Sequence, residues 1–304
     1  GGPILMCLPE SFLHGFPRAA GAQLNDILKA AIKIPGEETD IMAKKAIEHE
    51  SYICAQSYEN DPEWPGGYFN TAFIIGPDGK VILKYRKINV HGIEAGVGPN
   101  DILDLYVKRY GPIEKSIFPV VDTPIGKLGA FVCADGLFTT EIARCLALNG
   151  AEVLLYPIST FGQPRDNYHL VCKAHAYFNA CYLVSANVGM NFSRERPQAP
   201  AGYSPIVDYA GHIMNFADSI GETTVSSVLS LQALRTHRMR WAFMLAPATA
   251  LYKPFYERTY YPPNLMAEKR PQRIGDDSDD MRQVVGSMIA RGWLTPPGPP
   301  PKKE

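Results

Sequence analysis

The stretch Phe131-Val132-Cys133-Ala134-Asp135-Gly136 puts a thiol at the end of an apolar run (Leu128, Ala130, Phe131, Val132) and just ahead of a helical segment. A thiol becomes a strong nucleophile when its pKa is lowered or a base stands beside it. A strand end that faces a helix N-terminus offers backbone N–H groups and the positive end of the helix dipole. There the Ala134 N–H is placed as an oxyanion donor, and Thr139 or Thr140 as a cap for the next helix with Glu141 in its first turn. The same pattern also suits a core cysteine that packs as a small apolar residue. Two other strand ends carry reactive groups. Glu10 closes "LMCLPE", where a glutamate taken alone is a solvated acid. Lys84, Arg86 and Lys87 crowd "KYRKIN". Strand alternation sets Tyr85 and Lys87 on the face opposite Lys84 and Arg86, so Lys87 can turn inward while Arg86 pairs elsewhere. A basic, solvated strand end is the plain alternative.

These positions depend on a readable order of elements. "PILMCLP" is a short buried strand, and residues 22–33 and 38–49 have helical periodicity. "SYICAQSYE" reads as a strand. "YFNTAFIIGPDGKVILKYRK" reads as a hairpin about Gly76-Pro77-Asp78-Gly79. "SIFPVVDTPIGKLGAFVC" is a second hairpin, with Pro124-Ile125-Gly126 near its turn. Helices are expected over 139–149 and 165–179, and strands at "AEVLLYP" and "CYLVSANV". "GYSPIVDYAGHIMNF" and "TTVSSVLS" complete the β pattern. Hairpins mixed with strand–helix–strand units exclude a simple doubly wound sheet and predict a two-sheet α/β sandwich with helices outside. The catalytic unit is expected over residues 1–252. Residues 253–304 form a C-terminal arm with a short amphipathic helix (Met281, Val284, Val285, Met288, Ile289) and a proline-rich tail of polyproline II character.

Composition narrows the partners. The chain has 304 residues, is 46% apolar and carries a formal net charge of −1. That supplies a sizeable core and gives no reason to expect nucleic acid or an anionic membrane. No apolar run approaches the roughly 18 residues of a membrane span, and the start lacks the basic region of a signal peptide. The six cysteines are scattered with no Cys-x-x-Cys pair and no zinc-type spacing. Reduced thiols and a cytoplasmic protein are expected, with no metal. A serine hydrolase is excluded for want of a Gly-x-Ser-x-Gly elbow.

Taken together, Pro9-Glu10, Tyr85-Arg86-Lys87 and Cys133-Ala134-Asp135 resemble, in order and context, the motifs of the nitrilase superfamily of carbon–nitrogen hydrolases. Supporting matches are "NGAEVLLYPIS", "VSANVG" and "GYSPIVDYAG". The resemblance implies a four-layer αββα sandwich and a Glu–Lys–Cys triad. Glu10 would take the Cys133 proton. Lys87 and the Ala134 N–H would hold the oxyanion, and a Cys133 thioester would form with release of ammonia. Glu10 would then activate water. No cofactor is implied. Glu94, in "NVHGIEAG", resembles a second glutamate of the aliphatic amidases that positions substrate and lysine, although Gly92 stands where those enzymes have proline. His91 either lines the site or is a surface histidine. Asp135, Tyr156 and Phe161 are further candidates for contact with substrate. The family's pattern carries a strand and helix before the Pro-Glu motif, whereas this chain begins eight residues before Pro9; a sandwich lacking that first strand and helix is expected.

Cys-Ala-Asp-Gly resembles the aliphatic amidases and formamidases. Nitrilases resemble Cys-Trp-Glu, and N-carbamoyl amino acid hydrolases carry arginines where this chain has Gly136 and Leu137, so a carboxylate clamp is missing. The expected substrate is a small primary amide. Alternatives are a nitrile, an N-carbamoyl amide, or a catalytically silent binding scaffold. The resemblance also implies a homodimer or higher homo-oligomer, with "ERTYYPPNL" as an arm crossing between subunits.

Overall fold

The computed structural model describes residues 2–15, 24–90, 94, 96–160, 164–189, 202–219, 221–258, 262–267 and 278–298. Sheet 1 opens with β1 (Leu5–Cys7). Two helices follow, α1 (Leu24–Ala30) and α2 (Glu37–Glu48), then β2 (Tyr52–Glu59), β3 (Phe69–Ile75) and β4 (Val81–Arg86). Its strands lie in the order β1-β2-β3-β4, with β1 parallel to β2 and the rest antiparallel. A 3₁₀ turn (Pro99–Ile102), α3 (Leu103–Tyr110) and α4 (Ile113–Ser116) lead into sheet 2.

That second sheet contains β5 (Val120–Thr123), β6 (Gly126–Ala130), β7 (Val153–Ile158), β8 (Tyr182–Asn187), β9 (Pro205–Val207) and β10 (Ile213–Phe216). They lie in the order β10-β9-β8-β7-β6-β5. Between β6 and β7 come α5 (Ala134–Leu137) and α6 (Glu141–Leu148), and α7 (Arg165–Asn179) joins β7 to β8. The chain continues through α8 (Leu231–Arg240), a 3₁₀ turn (Ala242–Leu245), α9 (Thr249–Arg258) and α10 (Ser278–Ala290).

Layering follows from strand alternation. On one face of sheet 1, Ile53, Ala55, Phe73 and Ile75 pack under Met42 and Ala46 of α2. The other face presents Tyr52, Cys54, Ala72, Ile74, Leu83 and Tyr85 to a core shared with sheet 2 and with Ile142, Leu146, Cys172 and Ala176 of α6 and α7. Both faces of β2 and β3 are covered, so every residue of these strands is buried. This is the expected αββα sandwich. All six cysteines are unbridged. Among the described residues no helix is long and apolar enough to cross a membrane, and no three acidic, His or Cys side chains gather as a metal site.

Two features differ from the sequence reading. "TTVSSVLS" forms no strand. Val225, Ser227 and Leu229 are half-buried in alternation, but the backbone does not join β10; alternation reports which side faces the protein, not whether the backbone is paired. The segment ends at Ser230, whose hydroxyl accepts from Ala233 N–H and caps α8, a helix the pattern had not shown. Arg235 on α8 then clamps Glu152 through two hydrogen bonds of 2.7 and 2.9 Å. In the C-terminal region residues 262–267 seat on this chain's own 3₁₀ turn, with Asn264 N–H on Asn100 O and Met266 N–H on Asp101 O, both 2.9 Å. The helix α9 runs through Tyr252, where the composition changes.

At the outer edge of β4, Arg86 is buried against Phe69 (4.1 Å) and Tyr110 (4.4 Å) and forms ion pairs with Glu59 and Asp61. Burial alone would raise the Glu59 carboxyl; Arg86 and Lys84 outweigh it and hold it below the ordinary carboxylate range. A carboxyl with a depressed native pKa stabilises the fold above the unfolded pKa and loses that contribution as pH falls. Arg86→Met, which leaves buried Glu59 only Lys84 and Thr71 as partners, is expected to cost about 2–3 kcal/mol at neutral pH. The gap to wild type should narrow below about pH 4, which urea melts across pH can follow. A second expectation concerns Gly136 in α5, where a Cβ would lie 2.6 Å from both the Phe131 ring and the Tyr156 hydroxyl. Gly136→Ala should destabilise by about 1–3 kcal/mol in the same melts.

Candidate active site

Three strand ends from both sheets meet over the inter-sheet core. Leu8 N–H bonds to Cys54 O (2.9 Å), so the chain leaves β1 still tied to β2 and delivers Glu10 inward, 1% exposed. Lys87 follows β4 directly; its N–H bonds to Asn70 O (2.8 Å), which continues the antiparallel ladder and turns the side chain into the interior. Cys133 lies beyond β6. Phe131 N–H and Cys133 N–H bond to Leu155 O and Pro157 O of β7, each at 3.1 Å, which extends the parallel pairing past the strand. Ends of parallel strands are where α/β sheets open crevices for ligands.

Cys133 has φ +46° and ψ −110°, a conformation that costs a side-chain-bearing residue on the order of 1–3 kcal/mol. The turn is held around it. Gly136 and Leu137 N–H both bond to Cys133 O, and the Tyr156 hydroxyl donates to the same carbonyl at 2.6 Å. The Sγ reaches Ser159 O at 3.7 Å. The Ala134 N–H, at the first position of α5, has no acceptor among the described residues.

Charge in the site is uneven. Lys87 Nζ bonds to Glu94 Oε1 and lies 3.5 Å from Glu10 Oε1, all three side chains being buried. Burial pulls the ammonium down, but the facing Glu94 and Glu10 carboxylates outweigh it, so Lys87 holds its proton beyond the ordinary lysine range. Burial raises Glu94 despite the lysine. Burial also pushes the Cys133 thiol up, and the Glu10 charge adds to this more than Lys87 relieves it. The resting sulfur is therefore a neutral thiol. Among the described residues Glu10 Oε2 makes no hydrogen bond of ordinary geometry, although the Glu10 carboxyl lies within reach of the Cys133 thiol. The site thus sets a thiol donor beside a carboxylate oxygen that no other group occupies.

The structure moves two expected substrate contacts to a positioning role. Asp135 is fully buried, and its oxygens accept from Tyr85 Oη (2.7 Å), Ile88 N–H (3.2 Å), Asn89 N–H (2.8 Å) and Asn89 Nδ2 (2.9 Å). It lies two residues past Cys133 and ties that turn to the two residues after Lys87. Tyr156 is fully buried, stacked on Phe131 at 4.4 Å, with its hydroxyl spent on Cys133 O. His91 and Phe161 lie outside the described residues. Two residues were missed: Asn70 donates to Glu10 Oε1 (3.0 Å) and to both oxygens of Glu94 (3.0 and 3.2 Å), and Gln56 Nε2 donates to Asn70 Oδ1 at 2.6 Å. The signal for both is a polar residue inside an otherwise apolar, fully covered strand.

Comparison with known proteins places the chain by family and fold. The family model described as carbon-nitrogen hydrolase matches residues 2–239. Omega-amidase NIT2-B of Xenopus laevis is 30% identical over 206 residues, 67% of this chain and 70% of the relative. Formamidase of Bacillus thuringiensis (strain Al Hakam) is 34% identical over 186 residues, 60% of this chain but 48% of the relative. A crystal structure of a carbon-nitrogen hydrolase from Helicobacter pylori G27 shares the fold, with a TM-score of 0.65 at 20% identity over 84% of this chain and 87% of that one. The chain therefore belongs to the carbon–nitrogen hydrolases of the nitrilase superfamily, as an enzyme of its amidase-like branches.

Proposed function

We propose that the chain hydrolyses a small primary amide to a carboxylic acid and ammonia through a thioester on Cys133. The observation that carries this reading is the pairing of a neutral buried thiol with a Glu10 Oε2 that no other group occupies. A thiol that cannot ionise at rest has to lose its proton as it attacks, and a carboxylate in the same dry site can accept it. As Sγ bonds to the amide carbon, the carbonyl electron pair moves onto oxygen. Lys87 has three N–H donors; two face Glu94 and Glu10, which leaves the third for that oxyanion beside the Ala134 N–H. Glu10 passes its proton to the amide nitrogen, the C–N bond breaks and ammonia leaves. Water then adds to the thioester, giving its proton to Glu10, and the acid departs as the thiol is restored.

Relatives named omega-amidase and formamidase support an amide over a nitrile. Gly136 speaks against an N-carbamoyl amino acid, because an arginine clamp for its carboxylate could not share that place with Phe131 and Tyr156. Phe138, Phe178 and Tyr256, all exposed, line one cleft at α5, α7 and α9, which supports the expectation of a homo-oligomer.

Ammonia release from a panel of aliphatic amides, aryl amides, N-carbamoyl amino acids and nitriles tests the assignment. Amide turnover is expected, with no detectable rate in Cys133→Ala and a loss of about 10²–10⁴-fold in Glu10→Gln. Turnover of nitriles alone would overturn the substrate class, and activity surviving in Cys133→Ala would overturn the thiol mechanism.

A further inference from the structure

Glu10 has two oxygens, and the proposed chemistry needs one of them free. What keeps the other occupied lies outside the triad. Ser11 N–H donates to Gln56 Oε1 at 2.5 Å, Gln56 Nε2 to Asn70 Oδ1 at 2.6 Å, and Asn70 Nδ2 to Glu10 Oε1 and Glu94. An amide side chain can present either end to a neighbour, but a backbone N–H can only donate. The Ser11 N–H therefore fixes Gln56 with its oxygen toward Ser11. Gln56 in turn fixes Asn70 with its oxygen toward Gln56, and Asn70 is left with its NH₂ toward the carboxylates. Ser11 has φ +61°, and that turn aims its N–H back at β2. Gln56 and Asn70 are both buried, so no water competes for these bonds.

We propose that Gln56 and Asn70 are a positioning relay that keeps a donor on Glu10 Oε1 and Glu94, and so leaves Glu10 Oε2 as the oxygen that takes the Cys133 proton. The inference rests on the reading of Glu10 as base. A hydrogen bond from Asn70 favours the charged carboxylate over the protonated one. Losing it should make the ionised, working form harder to reach. Other charged or titratable groups also face Glu10: Lys87, Glu94, Cys133, Tyr58 and His14. A change at Gln56 reaches Glu10 through Asn70 and also through the Ser11 N–H, next to Glu10 in the chain; Gln56→Glu keeps an acceptor on Ser11 in both protonation states, so its pH trend reads the Asn70 branch.

Two variants at Gln56 separate orientation from packing. In Gln56→Leu nothing holds Asn70, and the acid limb of the pH profile of kcat/KM should move up by about one to two pH units. In Gln56→Glu the new carboxyl, while protonated, accepts from Ser11 and donates to Asn70 as the amide does. Once ionised it draws the Asn70 NH₂ to itself and leaves an amide oxygen facing Glu10. Its kcat/KM should therefore fall at least tenfold as pH rises between about 7 and 9, the range in which a buried glutamate ionises, where the wild type stays level. Opposite pH trends in the two variants support the relay. A uniform loss in both, with limbs unmoved, would overturn it. Thermal melting checks folding, and if Gln56→Leu does not fold, the near-isosteric Gln56→Glu decides alone. Cys133→Ala and Glu10→Gln assayed alongside keep the two questions apart: if both are dead while the Gln56 limbs stay put, the relay alone fails.

Discussion

A single ammonium shared between two carboxylates in a dry interior constrains this molecule. Removing Lys87, Glu10 and Glu94 from water carries a large desolvation cost, and only close mutual contact offsets it. The contact needs three chain segments at one point: the exit of β1, the exit of β4 and the loop that returns to Glu94. Sheet 1 is built to supply it. Its central strands are covered on both faces, which fixes register strongly, because a slip of one residue would bury the wrong side chains.

Charge arrangement also explains why a raised thiol suits the reaction. Away from water and beside Glu10 the Cys133 thiol is pushed up, so in the proposed reaction the negative charge for attack forms only as the proton passes to the carboxylate. In the proposed reaction the Lys87 ammonium would act on the oxygen where charge develops later, which is the distinction between binding a ground state and binding a transition state.

The αββα layering was legible because hairpins and apolar strands write their periodicity locally. Glu10, Lys87 and Cys133 could be singled out because each follows a strand end, where side-chain direction can be counted from alternation. Gln56 and Asn70 could not. Their partners lie 45 and 60 residues away at Ser11 and Glu10, and a polar residue in a buried strand has no meaning until its cross-strand neighbours are known. Asp135 and Tyr156 misled for the opposite reason: closeness to the nucleophile in sequence or in a strand suggested contact with substrate, while both spend their polar atoms on backbone or on each other's neighbours. The helix α8 escaped notice because its sequence is mostly polar, and its place is set by Arg235 on Glu152, a contact across 83 residues.

The bridge from Asp135 to Ile88 and Asn89 has a dynamic consequence. Nucleophile and lysine sit on different sheets, and packed layers shear slightly against one another as a protein breathes. A fully buried carboxylate two residues from Cys133, bonded to the backbone one and two residues past Lys87, ties those two positions together across the sheets. Such a tie would couple the sulfur and the ammonium when the sheets shear, holding their relative placement against fluctuations of the scaffold.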